Sequence, residues 1–341
     1  MKTRRVMIRP VVALTLGDPA GIGPEIVARA VRKKSVAGSV RLVVVGDFFV
    51  LEHFLRQSRL NPPLSRYCTI EEIHRSKRFP CLLDAGHEPF AIPVGRVDAR
   101  CGQMSIEYVQ TATQLALARN VDGIVTAPIH KQAWAAAGSP FPGHTEMLAD
   151  LSAARHYAMA FWAKGFLTVL MTTHLSLRDA LARLSSDLLK STLQLTIESL
   201  RESGLHKARI AVAGVNPHAG EGGLLGDEEN RIFLPVIQEF QLKKFNVTGP
   251  YSADTLYLRA AAGEFDAVVA PYHDQAMLAV KALSFGHATN ITLGLPFVRT
   301  SVDHGTAFDI AGRGIASENA LLHAIEKCRE LILRRKKQYT H

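Results

Sequence analysis

The feature that most limits what this chain can fold into is its alternation of short β-branched apolar runs with longer amphipathic stretches. The runs are VVALTL at 11–16, RLVVVG at 41–46, DGIVTA at 122–127, LTVLMT at 167–172, RIAVAG at 209–214 and DAVVAP at 266–271. Among them lie PEIVARAVRKK from Pro24, GQMSIEYVQTATQLALAR from Gly102, SSDLLKSTLQLTIESLRESG from Ser185 and SENALLHAIEKCRELILRR from Ser317. Strands feeding helices in this rhythm predict an α/β fold, with mainly parallel sheets covered by helices on both faces. A length of 341 residues exceeds one small core, so two domains or one large α/β unit is expected. No internal repeat or low-complexity linker marks a boundary. The Pro- and Gly-rich segment AAGSPFPGHTE is the candidate crossing point.

Composition narrows the class. Apolar residues at 47% and charged residues at 21% are ordinary for a soluble globular protein. No run approaches the ~18 uninterrupted apolar residues of a membrane helix. At the start, basic residues precede an apolar run, but GDPAGIGPE follows in place of a cleavage site, so VVALTL reads as a first strand. Cys68, Cys81, Cys101 and Cys328 form no CxxC pair, which suits a reduced, cytoplasmic protein and argues against a cysteine-ligated zinc. The net charge is +9, yet all but one of those charges are Lys2, Arg4, Arg5 and Arg9 at one end and Arg334, Arg335, Lys336 and Lys337 at the other. Solvated basic tails, rather than a nucleic-acid surface, are the expectation.

Three of the apolar runs end in histidines: FLTVLMTTHLSL in His174, IAVAGVNPHAGEGG in His218, and VVAPYHDQAM in His273. In a parallel sheet all carboxyl ends lie along one edge, where ligands bind, so residues far apart in sequence can approach one another there. Three neutral imidazoles would hold a divalent ion with positions open for a substrate oxygen, as in a catalytic site. Alternatively each is a capping or hydrogen-bonded loop residue, since 14 histidines must place some at strand ends. Asp274 would either cap the helix after His273 or orient its ring, with capping the expected role.

Other polar clusters carry paired readings. GDPAGIGPE, at 17–25, is a strand–turn–helix junction with Pro24 at the helix start. It is neither a G-x-G-x-x-G motif nor a Walker loop, and a turn serving the fold accounts for it. GHTE, at 143–146, opens a helix either as an anion site or as a capping box of Thr145 and Glu146. Lys281, Asn290 and Arg299 punctuate apolar sequence and need partners, supplied by an anionic ligand or by internal acids. DHGTAFDIAGRGIAS, at 303–317, is a loop of small residues that would let a flat ligand approach the backbone, or is simply a connection.

Taken in order, GDPAGIGPE, TAPIHK, GHTE, TTHLSLRD, VNPHAGEGG, ADTL, YHDQ and NITLGLPFVRTSVDHGTAFDIAG resemble the 4-hydroxythreonine-4-phosphate dehydrogenase family of vitamin B6 biosynthesis. The resemblance runs from about Pro10 to about Cys328; Ala276, where a glycine is common, is the one departure noted. It implies homodimers of two-domain subunits related in fold to isocitrate and isopropylmalate dehydrogenases. One domain would combine 1–132 with 300–341, and a central domain 133–299 would carry the metal and substrate residues. It also implies a divalent metal (zinc, cobalt or magnesium) on His174, His218 and His273, in a site built at the dimer interface. Substrate contacts would be His144, Thr145, Lys281, Asn290 and Arg299. The loop at 303–317 looks like the nucleotide loop of those relatives, with His304, Gly305, Thr306, Ala307 and Asp309 as contacts to NAD or NADP.

The implied reaction is oxidation of 4-phosphohydroxy-L-threonine at C3, followed by decarboxylation, with Lys281 and Asp254 as candidate bases. The nearest alternative is a D-threonate or D-erythronate 4-phosphate dehydrogenase with the same motifs. A three-histidine metal hydrolase of a phosphorylated metabolite is a more distant one, and it leaves the 303–317 loop without a role.

Overall fold

The computed structural model describes residues 9–57, 64–284 and 286–338. Of the basic N-terminal run, Lys2, Arg4 and Arg5 lie outside them. The chain divides into two compact units: residues 1–153 with 295–333, and residues 154–294 with 334–341.

The first unit begins with β1 (Val11–Thr15), α1 (Gly23–Ala30), α2 (Lys34–Ser39), β2 (Arg41–Gly46), α3 (Phe48–Gln57), β3 (Ser65–Tyr67), α4 (Ile70–Ser76) and β4 (Cys81–Asp84). It continues through α5 (Ala99–Leu117), β5 (Gly123–Thr126), α6 (Lys131–Ala136) and α7 (His144–Leu151). The second unit holds β6 (Ala158–Ala163), β7 (Phe166–Leu170), α8 (Leu177–Arg183), α9 (Ser186–Glu202), β8 (Ile210–Ala213), α10 (Leu234–Leu242), β9 (Val247–Tyr251), α11 (Ala253–Ala261), β10 (Ala267–Ala270), α12 (His273–Ser284) and β11 (Thr289–Leu293). The chain then runs through β12 (Val298–Ser301) to α13 (Asn319–Gln338).

In the first unit the strand order is β3-β4-β2-β1-β5-β12, with parallel pairing throughout. In the second it is β11-β6-β7-β10-β8-β9. There β7, β10, β8 and β9 pair in parallel, whereas β6 runs antiparallel to both β7 and β11. The α/β expectation therefore holds. The antiparallel pair is the part that the reading of apolar runs did not contain: AMAFWA turns straight back at Lys164 and Gly165 into FLTVL, without a helix between.

Local chemistry explains the main elements. Pro24 in the first turn of α1 fixes a helical φ where no N–H partner is needed, and Ile26, Val27, Ala28 and Ala30 are buried. At α9 the Ser185 hydroxyl accepts from the Leu188 N–H, and Leu189, Leu193, Ile197 and Leu200 recur at helical spacing on the buried face. In the second unit Phe161, Leu170, Met277 and Val280 share one apolar cluster, and Phe166, Tyr257, Phe265 and Val268 share another. These clusters hold α12 and α11 against the sheet.

The boundary sits later than the 132/133 division implied by resemblance. The reason is packing: α6 and α7 both lie on α5, so the chain leaves the first unit only after Ala153. It returns at Leu295. His144, Thr145 and Arg299 thus belong to the first unit, and His174, His218, His273, Asp254, Lys281 and Asn290 to the second.

Candidate active site

In the second unit β10 lies between β7 and β8, all parallel, so the loops after these strands emerge along one edge. The two ends are tied: the Met171 N–H donates to the Ala270 carbonyl at 2.8 Å, and the Thr172 hydroxyl to the Pro271 carbonyl at 2.8 Å. His174 follows β7 and His273 follows β10, and their ring centroids are 5.7 Å apart. The rings border a small cleft of about 80 Å³, together with Thr172, Tyr272 and Asp274. Asp274 lies 2.7 Å from His273 Nδ1, where its carboxylate accepts a hydrogen bond and orients the ring. The capping role expected of Asp274 gives way to this orienting one.

His218 sits beyond β8 in a run of left-handed residues, with φ of 53° at His218, 54° at Ala219 and 44° at Glu221. Non-glycine residues hold such angles only where the surroundings enforce them. Here Glu229, 2% exposed, accepts from the N–H groups of Val215 and Asn216 at 2.7 and 2.8 Å. The Asn216 side chain bonds Glu229 at 2.9 Å and Glu228 at 2.7 Å. Gln275, in the first turn of α12, donates to the Gly214 carbonyl at 2.8 Å and fastens this loop to the His273 helix. The His218 side chain itself is largely exposed, with Nδ1 3.6 Å from Glu221. Among the described residues, no three His, Cys, Asp or Glu side chains are grouped closely enough to hold a metal within one chain. The donor chemistry of the His174–His273 pair fits a borderline divalent ion as two of its ligands.

Asp254 opens α11, accepts from the Ser252 hydroxyl at 2.6 Å, and is held below the usual carboxylate range by that bond and, more weakly, by His218. Lys281, expected in apolar surroundings, is exposed, about two helical turns beyond His273 on α12. Asn290 stands on β11 opposite Phe161, and its buried Oδ1 has no hydrogen-bond partner among the described residues. Such an orphan suits a ligand group.

The first unit gathers a cationic cluster. Gly143 is the N-cap of α7 and makes no side-chain cap, so the alternative capping box at GHTE does not form. His144 packs edge-on against buried Trp134, with centroids 5.6 Å apart, and its Nε2 is buried without a partner among the described residues. Burial first, then the charges of Arg299 and Lys131, hold its pKa well below the ordinary value, so the ring is neutral at pH 7. Arg299 is 2% exposed and donates to the Thr126 hydroxyl at 2.7 Å. Burial lowers its pKa to about 10, against a raising effect of Glu146, and it remains a cation at neutral pH. Thr145 is buried in the first turn of α7, where backbone N–H groups favour negative charge.

The 303–317 loop is built on the GDPAGIGPE turn. The Ile22 N–H donates to the Thr306 carbonyl at 3.0 Å, and a Cβ on Gly21 would stand 2.8 Å from that of Thr306. Glu25 accepts the Ala316 N–H at 3.0 Å, and Arg29 bonds the Gly314 carbonyl. The glycines of the motif thus serve close packing. His304 and Ala307 are half-buried, Gly305 and Asp309 exposed, and Thr306 buried. A side chain on Gly305 would meet nothing within 4 Å, so there is room over that backbone for a flat group. Phe308, which the sequence reading did not single out, stacks on His130 at 4.5 Å with a 9° tilt.

Residues 39–328 match the family described as pyridoxal phosphate biosynthetic protein PdxA. The chain belongs to the PdxA family. It is 45% identical over 94% of its length to a 4-hydroxythreonine-4-phosphate dehydrogenase of Beijerinckia indica, covering 95% of that protein. It is 42% identical over 94% of its length to a D-threonate 4-phosphate dehydrogenase of Salmonella typhimurium, covering 98% of that one. In fold it is similar to the crystal structure of a Klebsiella pneumoniae 4-hydroxythreonine-4-phosphate dehydrogenase, with a TM-score of 0.85, 38% identity, and coverage of 96% and 99% of the two chains. This PdxA-family chain is accordingly a dehydrogenase. Among its described residues, no helix is long and apolar enough to cross a membrane.

Sequence reasoning passed over Glu229, Asn216 and Gln275, which place the PdxA-family histidine loops. Asn216 and Gln275 stand within VNPHAGEGG and YHDQ, but their partners lie far along the chain or outside those motifs, and Glu229 belongs to no motif, so nothing local marks their roles. Lys131 was visible within TAPIHK but acquires a role only through its charge at His144.

Proposed function

We propose that this dehydrogenase oxidises 4-phosphohydroxy-L-threonine at C3 to 2-amino-3-oxo-4-phosphooxybutanoate, which then loses carbon dioxide to give 3-amino-2-oxopropyl phosphate in vitamin B6 biosynthesis. The observation that carries this reading is the His174–His273 pair at neighbouring strand ends, with Asp274 fixing one ring. The Beijerinckia relative supports the choice of substrate.

Each group has a task. His174, His218 and His273 would hold a divalent ion (zinc, cobalt or magnesium), which when bound supplies Lewis acidity toward the substrate hydroxyl. A nicotinamide, NAD or NADP, when bound, accepts the hydride; His304, Gly305, Thr306, Ala307 and Asp309 are its proposed contacts. Arg299 and the first turn of α7 with Thr145 bind and orient the anionic ends of the substrate, and neutral His144 offers a hydrogen bond at Nε2 without adding charge. Asn290 Oδ1 offers an acceptor for a substrate donor. Lys281 or Asp254 takes the hydroxyl proton; with its lowered pKa, Asp254 is the weaker base of its type. The proton released on oxidation is returned to carbon on decarboxylation, so the sum is substrate plus oxidised nicotinamide giving ketone, carbon dioxide and reduced nicotinamide.

A homodimer with the active site at the subunit interface belongs to this reading. Leu175 and Leu177, beside the histidine pair, are 44% and 58% exposed, which is apolar surface that a second copy would cover.

The test is nicotinamide reduction by purified protein with 4-phosphohydroxy-L-threonine, before and after a chelator. The expected result is turnover that chelation abolishes and a divalent ion restores; undiminished turnover after chelation removes the metal from the scheme. A second reading, D-threonate 4-phosphate as substrate, is favoured by the Salmonella relative at 42% identity. Comparing kcat/KM for the two substrates decides between them. Release of inorganic phosphate without nicotinamide reduction would support the hydrolase alternative instead.

A further inference from the structure

At the amino-terminal ends of β8 and β9, the opposite strand ends from His218, the second unit has a cavity of about 280 Å³. Its floor is apolar, from Leu205, Ile210 and the half-buried ring of Phe245. Its rim is cationic: Arg201, Lys207 and Lys244, with His206 beside them. Among the described residues that line it, none is a carboxylate. The Arg201 guanidinium is held in place, 5.0 Å over the Phe245 ring. The C-terminal basic run converges on the same turn of chain. Arg334 donates to the Ser203 carbonyl at 3.1 Å, Gln338 bonds the Arg201 carbonyl, and Arg335 pairs with Glu202 at 3.3 Å. Arg334 and Arg335, expected as a solvated tail, are instead anchored beside this cavity.

We propose that this cavity is a binding site for a small organic phosphate: a phosphoryl group on the cationic rim, with an apolar or ring-bearing body on the floor. Several positive groups with no acid among them repel one another and are relieved by a dianion. An apolar floor goes unused by an inorganic ion. The volume falls just below the range of ordinary ligand pockets, about 300–1,000 Å³, which favours a compact metabolite over a dinucleotide. The site shares no residue with the proposed reaction.

The test is calorimetric titration of the full chain with phenyl phosphate, and with inorganic phosphate, at low ionic strength. The expected result is one phenyl phosphate per chain, with inorganic phosphate at least tenfold weaker. The double variant Lys207→Glu, Lys244→Glu should weaken phenyl phosphate at least tenfold while leaving dehydrogenase turnover unchanged, which reports that the variant folds. Arg299→Gln, in the proposed substrate site, should leave this binding intact. Loss of binding in Arg299→Gln but not in the double variant would place the probe in the other site and overturn the proposal. Absence of binding, or equal affinity for inorganic phosphate, would overturn it as well. Tighter binding of single-stranded RNA, lost in the double variant, would mark a polyanion surface and replace the proposal.

Discussion

The Glu229 carboxylate accepts two backbone N–H groups and one side-chain amide from the loop that presents His218. Removing a buried acceptor leaves its donors unsatisfied, at about 1–3 kcal/mol. Glu229→Ala should therefore lower unfolding free energy by about that amount in urea titration, and should reduce kcat by releasing the left-handed residues around His218. Unchanged turnover at saturating metal would show that the loop holds itself. Asp18 behaves differently. Its pKa is pushed up to about 6: burial raises it most, the Ala20 N–H lowers it, and the charge of Asp98 raises it again. A carboxyl harder to ionise in the folded state than in the unfolded one weakens folding as pH rises through about 4 to 6. Asp18→Asn should thus stabilise the chain at about pH 8 by about 1–3 kcal/mol, and barely at about pH 4. Denaturation midpoints at the two pH values read this directly.

Elements are held to one another by a second polar network that no motif announced. Asp47, just past β2, bonds the His87 ring at 2.8 Å, the His87 N–H at 2.9 Å and the Tyr108 hydroxyl of α5 at 2.5 Å. The other His87 ring nitrogen lies 2.8 Å from Glu107. This staples the irregular 85–98 segment to β2 and α5. The same segment bonds the GDPAG turn, from the Gly95 N–H to the Ala20 carbonyl at 2.8 Å. Burial alone would lower the His87 pKa, but the bonds and charges of Asp47 and Glu107 outweigh it and raise the value. Stability from a raised histidine is complete below its unfolded pKa of about 6.5 and is lost as pH rises through the folded value. His87→Gln should accordingly cost about 1–3 kcal/mol near pH 6 and clearly less near pH 9. An equal loss at both pH values in chemical denaturation would show that the charge on His87 contributes nothing. An acid at the end of a second strand would, in a dinucleotide fold with a G-x-G-x-x-G turn, read the ribose; Asp47 is already committed to this staple.

For the molecule as a whole, the homodimer reading carries its own prediction. Serial dilution should lower specific activity along the same curve as the dimer fraction seen by sedimentation, because the proposed metal site needs a second copy: among the described residues, no three His, Cys, Asp or Glu side chains are grouped to hold an ion. Full activity in a population shown to be monomeric would remove the interface from the mechanism. The α/β class, the strands that end in histidines and, through the ordered motifs, the family are all legible along the chain. These are properties of local periodicity and of short runs, which the chain carries wherever it is placed. No stretch of it shows that α6 and α7 stay with the first unit, that β6 reverses the sheet direction, that Asp274 orients a ring, or that Glu229 and Asp47 serve loops distant in sequence. Those features arise on folding, because they depend on which strands become neighbours and which buried donors then lack an acceptor, and no window along the chain contains both partners.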